Sequence, residues 1–436
     1  MLDSFPDASH DLAAVLGDRN EGPARKAEKA GIVQVDDKTG TVCMHIPGAG
    51  VKAFHYSTVH QPEASQEQVY EKDAQDAISA VLHGLNACIM CYGQTGAGKT
   101  YTFFGPDGTL EAKNDSSEQE AKHGIVIRAC QELLQARDFL CKNGVNVSFT
   151  AQFVEIYEEQ VTDLLTGQRV SVRRDNGHIN GAVEAPINTM QQVMETLRCG
   201  HERKRFAATA MNERSSRSHT AFVVHVLQKL DPGKMGQFAR SGASGLCAAL
   251  GGAVSDKLIR SQLHLIDLAG SERVKKSKAE GVRLREAVGI NSSLLVLGKV
   301  ISSLVQGNSH VPYFESKLTT LLKAAFGGNS KTTVVINCRS DGDYGDETLQ
   351  SMRFGERCAM ISNSLRQAAS SFETAIGAVE EALAAVRAQL VSLEARGKQH
   401  LPSYKNLLAS CNTLDRKRKE LVAINESKRE KEEEPL

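Results

Sequence analysis

Eight residues constrain this chain more than any others: Gly93–Thr100, GQTGAGKT, matches G-x-x-x-x-G-K-[ST]. They follow the apolar run Cys88–Tyr92, which reads as a buried strand, and they open a helix near Lys99. A strand, a glycine-rich turn and a helix in that order form a phosphate cradle. Gly93, Gly96 and Gly98 let backbone N–H groups converge on phosphate oxygens, and Gln94, Thr95 and Ala97 complete the loop. Lys99 reaches the β- and γ-phosphates, and Thr100 is placed to hold Mg²⁺. A chance glycine-rich turn would lack the preceding strand, the Lys-Thr ending and the partner motifs described next. The fold class that carries such a loop is α/β, a central mainly β-sheet flanked by helices on both faces.

The metal side of such a site needs an acid at the end of an apolar strand. LHLIDLAGSE supplies it: Leu263, Leu265 and Ile266 build the strand, and Asp267 lies where it opens into a loop, placed to bind Mg²⁺ through water. Gly270 can bring its N–H to a γ-phosphate. A third element, NERSSRSH at Asn212–His219, crowds three serines, an Asn, two arginines and a His into eight residues. That is more donor capacity than an ordinary solvated turn needs.

Composition narrows the partners. The 52 Lys+Arg balance 52 Asp+Glu, which argues against broad, nonspecific nucleic-acid binding by the whole surface, so any polyanionic partner is met locally. Hydrophobic residues at 41% exclude a wholly disordered chain. The longest apolar run, Ala80–Cys91, is interrupted by His83, Gly84 and Asn86 and falls short of the roughly 20 residues of a bilayer span. No membrane span is expected. The acidic start lacks a basic region and an apolar core, so it does not read as a signal peptide, and the ten scattered cysteines suggest reduced thiols in a cytosolic chain. Cys88 and Cys91 form a lone CxxC that reads as strand positions, not as a redox or zinc site.

Along the chain, residues 1–29 are polar and weakly patterned. Strands are predicted at GIVQVDD and TVCMHIP, a helix over Gln66–Leu85, a polar loop over Pro106–Lys122, a helix at Ile125–Lys142 and a long strand at Val145–Ile156. Between the strands AFVVHVLQ and SQLHLIDL, residues 229–257 are rich in Gly, Ala and Ser and read as a flexible surface insertion. After Asn363 the pattern changes to heptads at Leu365, Ala369, Phe372, Ile376, Val379, Leu383, Val386, Leu390 and Leu393. These serve either a homodimeric coiled coil through 365–393 or a hairpin with a second helical stretch, Tyr404–Lys431.

GQTGAGKTYT, NERSSRSH and DLAGSE, in this order and separation, resemble the phosphate loop, switch I and switch II of the kinesin motor domain. The likeness extends through QFVEIYEEQVTDLL, GVRLREAVGINSSLLVLGKVISSL, HVPYFESKLTTLL and GGNSKT to ETLQSMRF, over residues 30–363. The domains expected are thus a divergent segment at 1–29, the motor core at 30–363, a heptad helix at 364–397 and a second helical stretch with a charged tail at 398–436. The resemblance implies a microtubule-stimulated ATPase that uses ATP and Mg²⁺ and works on microtubules in the cytoplasm. It implies that Tyr101 packs on adenine, that Asn212 orders the switch I loop, and that Ser215 and Ser216 close over the γ-phosphate, Ser216 at Mg²⁺. Arg217 would pair with Glu272 as a latch between the switches. Microtubule contacts would come from Lys275, Lys276, Lys278 and Arg283 after switch II, and from Lys317 and Lys323. Residues 273–285 carry six basic side chains against Glu280 alone, a local patch suited to acidic tubulin.

Three positions depart from the family pattern. No Arg-x-Arg-Pro-like strand occurs in DLAAVLGDRNEGPARK, Phe314 stands where an Arg is common, and the heptads leave little room after Asn363 for a neck linker. The first departure opens an alternative, a catalytically weak kinesin-like scaffold on microtubules. A GTP switch lacks its guanine-reading Asn-Lys-x-Asp motif.

Overall fold

The computed structural model describes residues 29–110, 117–142, 145–209, 217–230, 257–272, 282–340, 342–365, 369–395 and a discontinuous set within 399–422. Asn212, Ser215, Ser216, Lys275, Lys276 and Lys278 lie outside the described residues, as do the segment 1–28, the body of the 229–257 insertion and the end of the tail.

The described residues begin with a three-stranded antiparallel meander, β1 (Gly31–Asp36), β2 (Thr41–Ile46) and β3 (Gly50–His55). Helices α1 (Gln66–Asp73) and α2 (Gln75–Leu82) lead to β4 (Ala87–Tyr92) and, after the phosphate loop, to α3 (Lys99–Phe104), α4 (Ser117–Glu120) and α5 (Ile125–Lys142). Then come β5 (Val145–Tyr157), the short strands β6 (Gln160–Asp163), β7 (Arg169–Val172), β8 (Ile179–Asn180) and β9 (Ala185–Pro186), and α6 (Met190–Thr209). The long strands β10 (His219–Leu230) and β11 (Lys257–Asp267) precede α7 (Val282–Val305), α8 (Lys317–Leu321), β12 (Lys331–Ile336), α9 (Gly345–Ala359), β13 (Ala369–Ser371) and α10 (Phe372–Ala395).

The main sheet runs β12-β4-β11-β10-β5-β6-β7-β8, with β13 also on β11 and β9 on β5. β4 lies parallel to both β11 and β12, and the other pairs are antiparallel. Strand alternation sends Ile89, Cys91, Phe222, Phe153 and Leu265 to one face, where they pack with α1, α2, α5 and α6. Cys88, Met90, Val223, Val154 and Ile266 go to the other, against Leu297 and Ile301 of α7, Leu318 of α8 and Phe354 of α9. Cys88 and Cys91 therefore point into opposite cores, where burial pushes both thiols up from their ordinary range. Because β4 and β11 are parallel with Cys91 opposite Asp267, the phosphate loop and the acid leave the sheet at the same end. That end, beyond the C-termini of the central strands, is where open α/β sheets bind ligands.

Several expectations need correction. The run Gln66–Leu85 is two helices, because the chain breaks at Ala74 and Ser65 starts α1 with a full capping box. β3 has no counterpart in the sequence reading, because four of its six residues are exposed and it lacks an apolar alternation. The polar loop contains α4. Among the described residues no strand pairs outside β12, which forms one edge of the main sheet; the segment DLAAVLGDRNEGPARK lies outside the described residues.

The heptad helix begins at Phe372, not Leu365: Ala369–Ser371 pair antiparallel with Lys257–Ile259 of β11, and that pairing takes the first heptad out of the helix. Of the two arrangements open to the heptads, the described contacts are those of the hairpin. Leu383 and Leu390 are buried with Cys411 and packed by Val386, Tyr404, Leu407 and Leu414. Arg387 pairs with Asp415 at 2.9 Å and Arg418 with Glu380 at 2.7 Å. Exposed pairs of this kind add little stability but fix which residues face each other. Leu390→Asp puts a carboxylate into that seam and should cost the hairpin at least about 3 kcal/mol. Circular dichroism should show lost helical signal with the melting of the core unchanged.

Candidate nucleotide-binding site

The loop between β4 and α3 takes backbone angles that its glycines permit. Gly93, Gly96 and Gly98 have φ of 153°, 76° and 93°. Gly93 also passes so close to the Asn337 carbonyl that a Cβ there would overlap it. Inside the cradle Lys99 is buried, and its Nζ donates to the Gln94 carbonyl at 2.8 Å. Burial holds its pKa below the ordinary lysine range, against the opposing pull of Asp267 and Glu272.

Thr100 Oγ1 donates to Asp267 Oδ2 at 2.7 Å, joining the start of α3 to the end of β11. The other oxygen, Asp267 Oδ1, is buried with no hydrogen-bond partner, and so is the hydroxyl of Ser218. Hard oxygens left unsatisfied around a carboxylate are the donor set that Mg²⁺ takes. The residues fit the ion at Thr100 and Asp267. Glu272 accepts from the Thr95 N–H at 2.8 Å and from Thr95 Oγ1 at 2.6 Å. A Cβ at Gly270 would meet Thr95 Oγ1 and the Glu272 carboxylate, so a side chain there fits only if those two side-chain ends shift.

Lys99, Thr100, Ser218, Asp267 and Gly270 line a cavity of about 370 Å³ with Thr95, Gly96, Gly98 and the half-exposed Tyr101. The structure thus brings together the loop, Asp267, Gly270 and Glu272, and it places Arg217 one residue before the lining Ser218. Three lining residues fall outside the motifs of the sequence analysis: His201, Lys204 and Arg205 of α6. They fall at i, i+3 and i+4 in GHERKRF, so helical spacing immediately before NERSSRSH was the available signal. Lys204 Nζ donates to Thr220 Oγ1 at 2.5 Å, and His201 packs edge-on against Phe104.

Lys317 and Lys323 lie elsewhere, around α8 on the second face. The Lys317 N–H donates to Glu159, and Lys323 Nζ donates to the Asp175 carbonyl. Phe314, in the position where the family favours Arg, is 45% exposed and has Lys323 and Arg174 over its ring at 5.2 and 6.0 Å. Arg283 falls in the first turn of α7.

A family model for the kinesin motor domain matches residues 20–361. The chain belongs to the kinesin motor family. Kinesin-like protein KIN-14F of Arabidopsis thaliana is 39% identical over 331 residues, 74% of this chain and 27% of that protein. Kinesin-like protein KIN-14Q of Oryza sativa subsp. japonica is 34% identical over 380 residues, 85% of this chain and 36% of that protein. The kinesin chain thus spans about a third of the length of these relatives. Among solved structures, one described as "Structure of a fast kinesin: Implications for ATPase mechanism and interactions with microtubules" superposes with a TM-score of 0.64. Its sequence identity is 31%, over 80% of this chain and 92% of that one. Kinesin motor domains in general bind nucleotide with Mg²⁺ and associate with microtubules.

Proposed function

We propose that this chain is the motor core of a microtubule-stimulated ATPase, converting ATP hydrolysis into movement along microtubules or their regulation. The observation that carries this reading is the bond from Thr100 to Asp267 with the second Asp267 oxygen unpaired, beside a phosphate loop that Glu272 grips at Thr95. A scaffold would have no chemical need for that set.

Gly93–Gly98 cradle the phosphates, Lys99 neutralises the β- and γ-oxygens, and the Tyr101 ring packs on adenine. Thr100, Ser216 and, through water, Asp267 would hold Mg²⁺, which would supply charge neutralisation at the transferred group. Asn212 orders the switch I loop, and Ser215 and Ser216 close over the γ-phosphate while the Gly270 N–H approaches it. Glu272 then exchanges Thr95 for Arg217, and this latch holds the attacking water in line. Hydrolysis releases the latch. Lys275, Lys276, Lys278, Arg283, Lys317 and Lys323 meet the acidic filament surface. The core is assigned to residues 30–363, followed by α10 and a second helical stretch within 398–436, and the protein to the microtubule cytoskeleton of the cytoplasm.

Microtubules should accelerate release of a fluorescent ADP from the core by at least about ten-fold, in line with coupling energies between sites. Release that ignores microtubules would refute the motor reading. Because the contact is electrostatic, filament co-sedimentation should weaken as salt rises, and Lys317→Glu with Lys323→Glu should flatten that dependence.

A further inference from the structure

His219 is buried where three elements meet, and its ring bonds in two directions. Nδ1 accepts a hydrogen bond from the Ala269 N–H at 3.0 Å, and Nε2 lies 2.9 Å from Ser293 Oγ. With Nδ1 accepting, the ring proton sits on Nε2 and is donated to Ser293. Burial, reinforced by Lys204 and Lys99, pushes the pKa down to about 3, so the ring stays neutral and keeps this tautomer at ordinary pH.

Each partner belongs to a different part of the machine. His219 follows Ser218 of the cavity wall at the start of β10, and Ala269 lies between Asp267 and Gly270 in the loop beside the phosphate cradle. Ser293 is a buried residue of α7, a helix of 24 residues whose outer side carries the exposed Leu295 and a Lys299–Glu315 ion pair. A rigid five-membered ring that accepts on one edge and donates on another cannot follow one partner and ignore the other. If the 268–272 loop is drawn toward a γ-phosphate, either α7 follows or a buried polar group loses its partner. Leaving such a group unsatisfied is costly, so the helix follows.

We propose that His219 is a positioning residue that couples the phosphate site to α7 through Ser293. The inference rests on the motor reading above and adds to it the residue that carries the nucleotide state out of the site.

The test uses turnover with and without microtubules. Ser293→Ala removes the hydroxyl alone, and His219→Asn retains an acceptor for the Ala269 N–H but falls short of Ser293. Each should lower the filament-stimulated rate about ten-fold, the effect expected from one buried hydrogen bond. Ser293→Ala should leave basal turnover and the KM for ATP within about two-fold of the parent. The double variant should be no slower than the slower single one, because both remove the same link. Ser293→Thr, which retains the hydroxyl, should return most of the stimulation. Full stimulation in Ser293→Ala would overturn the proposal, and so would equal losses of basal and stimulated rates. A parent that microtubules do not stimulate removes the functional reading, and the proposal with it.

Discussion

Lys99→Ala should turn over ATP at less than about one-thousandth of the parental rate, the scale of loss when a preorganised charge is removed from a phosphoryl-transfer site. Lys99 is the lysine inside the cradle, buried and aimed at the loop carbonyls by its bond to Gln94. The same change should leave the fold intact or slightly firmer. Burial holds the Lys99 pKa below its unfolded value, so the folded state binds fewer protons in that window. Parental stability should therefore rise as pH climbs from the depressed pKa toward the ordinary lysine range, and the alanine variant should lack this rise. Hydrolysis assays paired with pH-dependent melting test both halves. An inactive variant that also melts early would show that Lys99 acts through structure and not through charge.

Gly93→Ala should be strongly destabilising, because strain and overlap coincide at this position. Its φ of 153° lies outside the region that side chains accept, and its Cβ would overlap the Asn337 carbonyl, a backbone atom without freedom to retreat. Strain and overpacking together predict a loss of about 3–5 kcal/mol. For a chain of this size that lowers Tm by about 3–6 °C. The displacement would be felt at the cradle, because the Gly93 carbonyl accepts from the Ser271 N–H and so ties the loop to the segment beside Glu272. Calorimetry measures the first effect and nucleotide affinity the second. A melting temperature within a degree of the parent would contradict the packing described for this loop.

Much of the site was legible because phosphate chemistry demands particular residues in particular local frames. Gly93–Thr100 and Asp267 follow from strand, turn and acid, and each can be read without its distant neighbours. The opposed faces of Cys88 and Cys91 follow from period-2 alternation in the same way. What the sequence did not reveal depends on tertiary partners. Thr95 and Glu272 are 177 residues apart, and nothing local marks them as bonded. The ends of β13 and α10 were misread because Leu365 and Ala369 continue the heptad, while pairing of Ala369–Ser371 with β11 outweighs helical propensity there. His219 was visible inside NERSSRSH, but its role requires α7, 74 residues away. The hairpin positions Leu383 and Leu390 were found as a seam, yet periodicity describes the face and not what covers it.

The account stands most directly on steady-state ATP hydrolysis with and without microtubules, run beside Glu272→Ala. It predicts a parental rate that microtubules raise by at least about ten-fold and that the variant reduces to background in both conditions. A parent that binds microtubules but hydrolyses ATP no faster on them would contradict it.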